Sequence, residues 1–299
     1  MNTPAQRPVR SWLITPAGAP DRFATARASR ADVALVDLED SVAPAHKAAA
    51  RKTAQRFFLP DPDAGRHPVL GVRLNTPVTA DGVRDLAALA DYSARPHLIL
   101  VPKTETARDI EMVAGVLDTG GHTPQIYALI ETPRGIAALP KILRADRLDG
   151  LLFGAADYAA LVGCGLAWEA LLYARSAVAN SAGARGIPAI DSPYFDLHDL
   201  DGLQRETERA KNLGFLGKGA VHPAHLPVIN SMFTPSPDDI TAARAVITAG
   251  QQTPSAITTV GSQMVGPPFL AAARALTARA NAARTPAPDQ HSAPEGRTA

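Results

Sequence analysis

Eight short apolar runs, each closing on polar residues and separated from the next by a stretch of helical spacing, constrain this chain more than any other feature. They begin near residues 12, 33, 70, 98, 126, 150, 187 and 214. The clearest pair is Ile126-Tyr127-Ala128-Leu129-Ile130, which stops on Glu131, and Gly150-Leu151-Leu152-Phe153, which runs through Gly154-Ala155-Ala156 to Asp157. A continuous apolar run bounded by turn residues reads as a strand buried on both faces. Between the two, Ile136, Leu139, Ile142, Leu143 and Leu148 recur at close to helical spacing. Thr132 is placed to cap that helix, and Pro133 suits its first position, where a missing N–H costs nothing. The unit is therefore strand–helix–strand, with Glu131 and Asp157 expected at equivalent ends of two neighbouring parallel strands.

Eight strands alternating with helices over about 220 residues is the count and pitch of a TIM (β/α)8 barrel, a fold typically of about 250 residues. The competing doubly wound sheet wants a glycine-rich first turn, and Pro16-Ala17-Gly18 offers no GxGxxG. The chain divides on this reading into a flexible N-terminus (1–9), a barrel (10–232), a helical appendage or lid (233–284) and a disordered tail (285–299). The appendage carries helical patterns near 237–249 and 267–283, beyond what eight units need. The tail is low in apolar residues and rich in Pro and Ala, too poor in hydrophobic surface to offset the entropy of ordering.

A net charge of +1 gives no electrostatic reason to expect nucleic acid or an acidic membrane as partner. No run approaches a membrane span, and the apolar stretch before Pro16 is too short for a signal-peptide core. The single cysteine, Cys164, excludes an internal disulfide and a thiolate cluster, which fits a cytoplasmic protein. It sits between two glycines with no Cys or His nearby and reads as inert.

In a barrel of this type, chemistry sits at the carboxyl ends of the strands. There the sequence places Asp37, Glu39 and Asp40 after the second strand, Arg73 and Asn75 at the third, and Lys103 after the fourth. Glu131 follows the fifth, Asp157 the sixth, Asp191 the seventh, and Lys218 and His222 the eighth. Oxygen-only ligands, few in number and with room for water, favour Mg2+ over zinc, so Glu131 and Asp157 are the expected metal pair. Asp37, Glu39 and Asp40 cannot all face the mouth, because neighbouring residues alternate in direction. Arg73, inside an apolar run, needs an anionic partner: a salt bridge to Glu39 or Asp40, or a substrate carboxylate gripped bidentately. Lys103 is expected to ion-pair with a barrel acid. His222, alone before Pro223, reads as a packed, hydrogen-bonded histidine rather than a ligand.

Seven motifs in order resemble the HpcH/HpaI aldolase/citrate lyase β-subunit family, which includes malyl-CoA and citramalyl-CoA lyases. They are Arg10-Ser11-Trp12-Leu13 with its turn, Asp37-Leu38-Glu39-Asp40-Ser41-Val42, Val72-Arg73-Leu74-Asn75, Val101-Pro102-Lys103, Ile130-Glu131-Thr132-Pro133-Arg134-Gly135, Phe153-Gly154-Ala155-Ala156-Asp157 and Gly217-Lys218-Gly219-Ala220-Val221-His222-Pro223. The resemblance spans about Arg10 to Met264. It implies Mg2+ on Glu131 and Asp157, and cleavage or formation of a carbon–carbon bond in a 3-hydroxy acyl thioester or hydroxy acid. It implies a 2-oxo acid product (oxaloacetate, glyoxylate or pyruvate) held by Arg73, with Pro16, Gly154, Ala155 and Ala156 lining its pocket. Asp37, Glu39 and Asp40 shape the mouth on this pattern. It also implies CoA or an acyl-carrier thioester as partner, and a homo-oligomer, trimer or hexamer.

Two departures stand out. Ala17 intervenes in a turn that is usually Pro-Gly. More seriously, Gly266 in Val260-Gly261-Ser262-Gln263-Met264-Val265-Gly266-Pro267-Pro268 stands where CoA-lyase members resemble Asp-Gly-x-Met-x-Asp-x-Pro. A glycine cannot move a proton. That substitution favours two alternatives: a CoA-independent aldolase for 4-hydroxy-2-oxo acids, or a catalytically silent binder of 2-oxo acids.

Overall fold

The computed structural model describes residues 9–60, 68–118, 122–252 and 257–284. The disordered tail expected at 285–299, and all but the last residue of the flexible N-terminus, lie outside them. Two compact units divide the chain at Phe233 and Thr234.

The first unit is a closed barrel of eight parallel strands in sequential order. They are β1 (Ser11–Pro16), β2 (Val33–Asp37), β3 (Val69–Arg73), β4 (Leu98–Val101), β5 (Gln125–Ile130), β6 (Gly150–Phe153), β7 (Ala189–Asp191) and β8 (Gly217–Ala220). Among the described residues nine α-helices accompany them: α1 (Phe23–Arg27), α2 (Lys47–Phe58), α3 (Ala80–Asp91), α4 (Ala107–Leu117), α5 (Pro133–Ile142), α6 (Ala155–Val162), α7 (Trp168–Arg185), α8 (Leu200–Leu213) and α9 (Leu226–Phe233). The TIM barrel expected from the sequence is the observed fold. Thr132 caps α5 by accepting from the Gly135 N–H at 2.9 Å, with Pro133 at the first position, as the sequence pattern requires.

Side chains alternate across each strand, and that parity sorts the barrel into two cores. Trp12, Val33, Leu35, Leu98, Leu100, Tyr127, Leu129, Leu152 and Ile190 fill the interior. Tyr127 meets Trp12 edge-on at 4.7 Å between ring centroids. Gly150 makes room for it, since a Cβ there would lie 2.0 Å from Tyr127 Cε1. The outward set, including Val36, Val72, Ile99, Ile126, Ile130 and Leu151, packs against the helices.

Three expectations shift. Asp157 does not sit at a strand end; it lies in the first turn of α6, a helix the sequence pattern did not separate from β6. Asp191 and Lys218 do not face the mouth. Because Ile190 points inward, Asp191 points outward, and there Lys218 Nζ meets Asp191 Oδ2 at 2.6 Å and Glu206 Oε1 of α8 at 2.7 Å. Arg175 of α7 completes the cluster, with Nε 2.8 Å from Asp191 Oδ1 and its guanidinium over the Trp168 ring. His222 is exposed rather than packed, and its Nδ1 accepts the Ala224 N–H at the start of a short 3-10 turn.

The second unit holds α10 (Pro237–Gln252), an antiparallel hairpin of β9 (Thr258–Val260) and β10 (Gln263–Val265), and α11 (Pro267–Arg284). The hairpin went unseen in the sequence because its strands are only three residues each. Gly266 follows β10, and its carbonyl accepts the Phe269 and Leu270 N–H groups that open α11. Among the described residues no helix is long and apolar enough to cross a membrane.

Burial pushes the Asp191 carboxyl up, but Lys218 and Arg175 outweigh it and hold its pKa below the usual carboxylate value. A depressed carboxylate contributes stability that is present above about pH 4 and lost as pH falls through the folded pKa. Asp191→Ala leaves Lys218 buried beside only Glu206 and is expected to cost about 3–5 kcal/mol, read by urea denaturation at pH 7. The difference from the parent should shrink in acid as the parent loses its own ion pair.

Candidate active site at the barrel mouth

The carboxyl ends of β2 to β6 gather a crowd of charge. The register sets Pro16 beside Asp37 and Asp37 beside Arg73, and strand parity turns all three to the inside. Arg73 Nε and Nη2 donate to Asp37 Oδ1 and Oδ2 at 2.6 and 2.7 Å, a two-pronged pair. Asp37 is fully buried and also accepts the Glu39 N–H at 2.9 Å and the Ser41 N–H at 3.2 Å. It therefore lies behind the guanidinium and fixes both Arg73 and the loop that carries Glu39 and Asp40. Burial works against the Asp37 charge, yet Arg73 and these donors keep its pKa lowered.

Glu39 is 5% exposed, and its Oε2 makes an ion pair with Arg73 Nη1 at 3.1 Å. That oxygen is buried and has no hydrogen-bond donor among the described residues. Its other oxygen receives a short hydrogen bond from Lys103 Nζ. Burial raises the Glu39 pKa despite Arg73 and Lys103. Of the two partners the sequence offered for Arg73, Glu39 is one; Asp37, inside the same motif, is the stronger.

Lys103 stands at the centre. Its Nζ lies 3.7 Å from Asp40 Oδ1, 3.9 Å from Glu131 Oε1 and 4.0 Å from Asp157 Oδ2, in addition to the Glu39 contact. Its backbone takes φ 49°, the one positive value at a non-glycine among the described residues, and its N–H donates to Glu131 Oε1 at 2.9 Å. Glu131 and Asp157 thus approach the same nitrogen. Glu131 is 2% exposed, and burial together with the Glu39 charge pushes its pKa well above the ordinary value. Asp157 and Asp40 open more widely to solvent.

Gly154 is required by this packing: a Cβ there would lie 2.4 Å from Glu131 Cβ and 2.6 Å from Glu131 Oε2. The Ala155 N–H donates to Ser192 Oγ at 3.3 Å, while Ala156 is exposed in the first turn of α6. Asn75 turns away from the mouth, where it donates to Asp85 and Leu38 O and accepts from Lys47 Nζ at 2.6 Å. Lys47 also donates to the Leu38 and Glu39 carbonyls. Sequence reasoning assigned no role to Lys47 or Ser192, because their partners lie on other elements and leave no local signal.

Five carboxylates (Asp37, Glu39, Asp40, Glu131 and Asp157) face two cations, Arg73 and Lys103. The surplus of negative charge, the oxygen-only donors and the buried Glu39 oxygen without a donor suit a hard divalent cation. Among the described residues no three acids or imidazoles form a complete metal cluster, so water and substrate would fill such a cation's shell.

A family model described as HpcH/HpaI aldolase/citrate lyase matches residues 10–223, and one described as a C–C bond lyase of the TIM-barrel fold matches 165–283. The chain is 35% identical over 290 residues to a citrate lyase subunit beta-like protein of Mycobacterium tuberculosis, covering 95% of this chain and 99% of that one. It is 32% identical over 273 residues to an L-malyl-CoA/beta-methylmalyl-CoA lyase of Cereibacter sphaeroides, covering 82% and 85%. The crystal structure of CitE from M. tuberculosis in complex with magnesium, acetoacetate and coenzyme A superposes with a TM-score of 0.77 at 33% identity, over 92% of this chain and 98% of that one.

Gly154→Ala is expected to destabilise the fold by about 1–3 kcal/mol, the range for an overpacked core, because the Glu131 side chain and, at 3.2 Å, Leu129 Cδ1 stand in the way. Thermal denaturation against the parent checks the size. Because Glu131 Cβ is the nearest atom, a smaller loss of melting temperature from Gly154→Ala in a Glu131→Gly background than in the parent would identify Glu131 as the obstacle.

Proposed function

This chain belongs to the HpcH/HpaI aldolase/citrate lyase family, and from that premise we propose that it is a Mg2+-dependent carbon–carbon lyase. Its substrate is a 3-hydroxy acyl thioester or hydroxy acid, cleaved or formed by aldol- or Claisen-type chemistry, and its product a 2-oxo acid such as oxaloacetate, glyoxylate or pyruvate. The observation that carries this reading is the approach of Glu131 and Asp157 to one point, Lys103 Nζ, which shares the Glu39 carboxylate with Arg73.

Glu131 and Asp157 would hold Mg2+, which supplies Lewis-acid polarisation of the substrate oxygen at the breaking bond. Arg73, locked in plane by Asp37, offers its outer edge to the 2-oxo acid carboxylate, a planar anion that a guanidinium matches. Pro16, Gly154 and Ala155 line that pocket, and the Ala156 N–H, one of the donors left without a helical partner in the first turn of α6, faces an anion there. Cleavage removes the hydroxyl proton and leaves the bond's electron pair on the acyl fragment, which then takes up a proton at carbon. Glu39, with its raised pKa and a buried oxygen that pairs with Arg73 but accepts no hydrogen bond among the described residues, receives the hydroxyl proton. Asp37 acts through Arg73, and Asp40 orients water at the exposed rim.

Gly266 favours a second reading, a CoA-independent aldolase for 4-hydroxy-2-oxo acids, because no acid stands at the position that serves the thioester carbon in related lyases. Turnover of acyl-CoA thioesters supports the first reading; pyruvate exchange that ignores CoA thioesters supports the second. Binding of 2-oxo acids without turnover in either assay identifies a silent binder.

Calorimetry is expected to show Mg2+ affinity lost in Glu131→Ala and in Asp157→Ala. Unchanged affinity in both removes the basis of the proposal. Arg73→Lys should retain Mg2+ but weaken oxaloacetate binding roughly 10- to 100-fold, the value of a charge-assisted hydrogen bond.

We also place the protein in the cytoplasm as a homo-oligomer, trimer or hexamer. Leu161 and Val162 of α6, Leu166 in the connection, and Leu172 and Tyr173 of α7 are all exposed and support an apolar contact surface. Tyr173→Glu should lower the mass measured by light scattering while leaving the circular dichroism spectrum unchanged.

A further inference from the structure

We propose that Lys103 is the resident counter-ion of the mouth and the residue that sets how tightly the site takes a divalent cation. Its ammonium competes for the space between Glu131 and Asp157 and withdraws toward Glu39 and Asp40 when the cation binds. The inference rests on the metal-site reading above and concerns a residue which that reading leaves without a task.

Four observations carry it. Lys103 Nζ is within 4.0 Å of oxygens from Asp40, Glu131 and Asp157 and hydrogen-bonded to Glu39, so one positive charge serves four acids. Both acids expected to take the metal are among them, at the two longest distances. The main chain of Lys103 is pinned, with φ 49° and its N–H on Glu131, but the charge sits on a flexible four-carbon stem. The side chain is 32% exposed, and Asp40, at 54%, stands at the solvent rim to keep the ammonium paired as it moves.

The other cation of the mouth cannot play this part. Arg73 is held by two hydrogen bonds to a fully buried Asp37 and by the ion pair to Glu39. A guanidinium anchored on three nitrogens stays in place, so adjustment of charge falls to Lys103. Its pinned backbone keeps Glu131 oriented whether or not the ammonium moves, so removing the charge should leave the Glu131 donor intact.

Lys103→Met and Lys103→Gln, with Mg2+ titrated by isothermal calorimetry into the full-length metal-free protein, test the inference. Loss of one positive charge about 4 Å from the ligands is expected to tighten Mg2+ binding on the order of tenfold. The metal-free melting temperature should fall in both variants, since four acids lose their counter-ion, and saturating Mg2+ should narrow the gap to the parent. Equal or weaker Mg2+ binding in both variants, with the parent binding normally, overturns the role of Lys103 and leaves the metal site standing. Failure of the parent itself to bind Mg2+ is a separate result, and it overturns the metal site and this inference together.

Discussion

Charge balance at one end of the barrel governs the rest of this molecule. At an effective dielectric of about 20, two like charges about 4 Å apart repel by about 4 kcal/mol, so acids gathered around one nitrogen need cations among them to ionise together. Glu39 and Glu131 register that repulsion together with burial as raised pKa values. Asp37 escapes it because Arg73 is committed to it on two prongs. Of the two cations, one is fixed by Asp37 and one is on a flexible stem, and the proposed roles of rigid anion receptor and adjustable counter-ion follow that asymmetry.

The barrel supplies the order that such a cluster needs. Strand parity turns Asp37 and Arg73 inward at a shared register level, and the two-residue step from Leu129 carries Glu131 to the same side. A second polar layer behind them fixes the loop after β2: Lys47 ties the Leu38 and Glu39 carbonyls to Asn75, Asn75 is held by Asp85, and Arg51 by Asp85 in turn. Polar groups at this depth are tolerable because nearly all are paired. The same logic applies on the opposite wall, where Asp191, Lys218, Arg175 and Glu206 join β7 and β8 to α7 and α8 with no part in the mouth.

The barrel was legible because periodicity is local: eight apolar runs and Thr132-Pro133 carry their structural meaning within a few residues. The candidate site was legible only in outline. Glu131, Asp157 and Arg73 stand in conspicuous motifs, but whether a strand-end residue faces in or out depends on the parity of its whole strand. Three-residue β7 gave too little alternation to assign Asp191, and the glycines of β8 hid the orientation of Lys218. Lys103 was read as one ion pair because its left-handed backbone, which turns the chain across the mouth, has no signature in a lysine codon's worth of sequence. Asp37 and Asp40 could not be ranked until burial separated them, one fully enclosed and the other at the rim.

The two ends of the proposed reaction are served unequally, and this asymmetry bears on substrate. Every residue proposed for the 2-oxo acid half is contained in the barrel unit: the Arg73 edge, the two acids near Lys103, and Glu39, one oxygen of which no donor hydrogen-bonds among the described residues. The acyl half needs a proton donor at carbon, and in this chain the residue aligned with that task is Gly266, whose observed part is to offer its carbonyl to the start of α11. Thioester lyase and CoA-independent aldolase therefore share one oxygen-side chemistry here and differ only in what happens at the departing carbon. On the proposed assignment, the barrel unit holds both the anion receptor and the metal pair, the groups that would polarise the oxygen and hold the oxo acid. What the acyl carbon then does is decided outside that cluster, by whichever group stands in for the missing carboxyl.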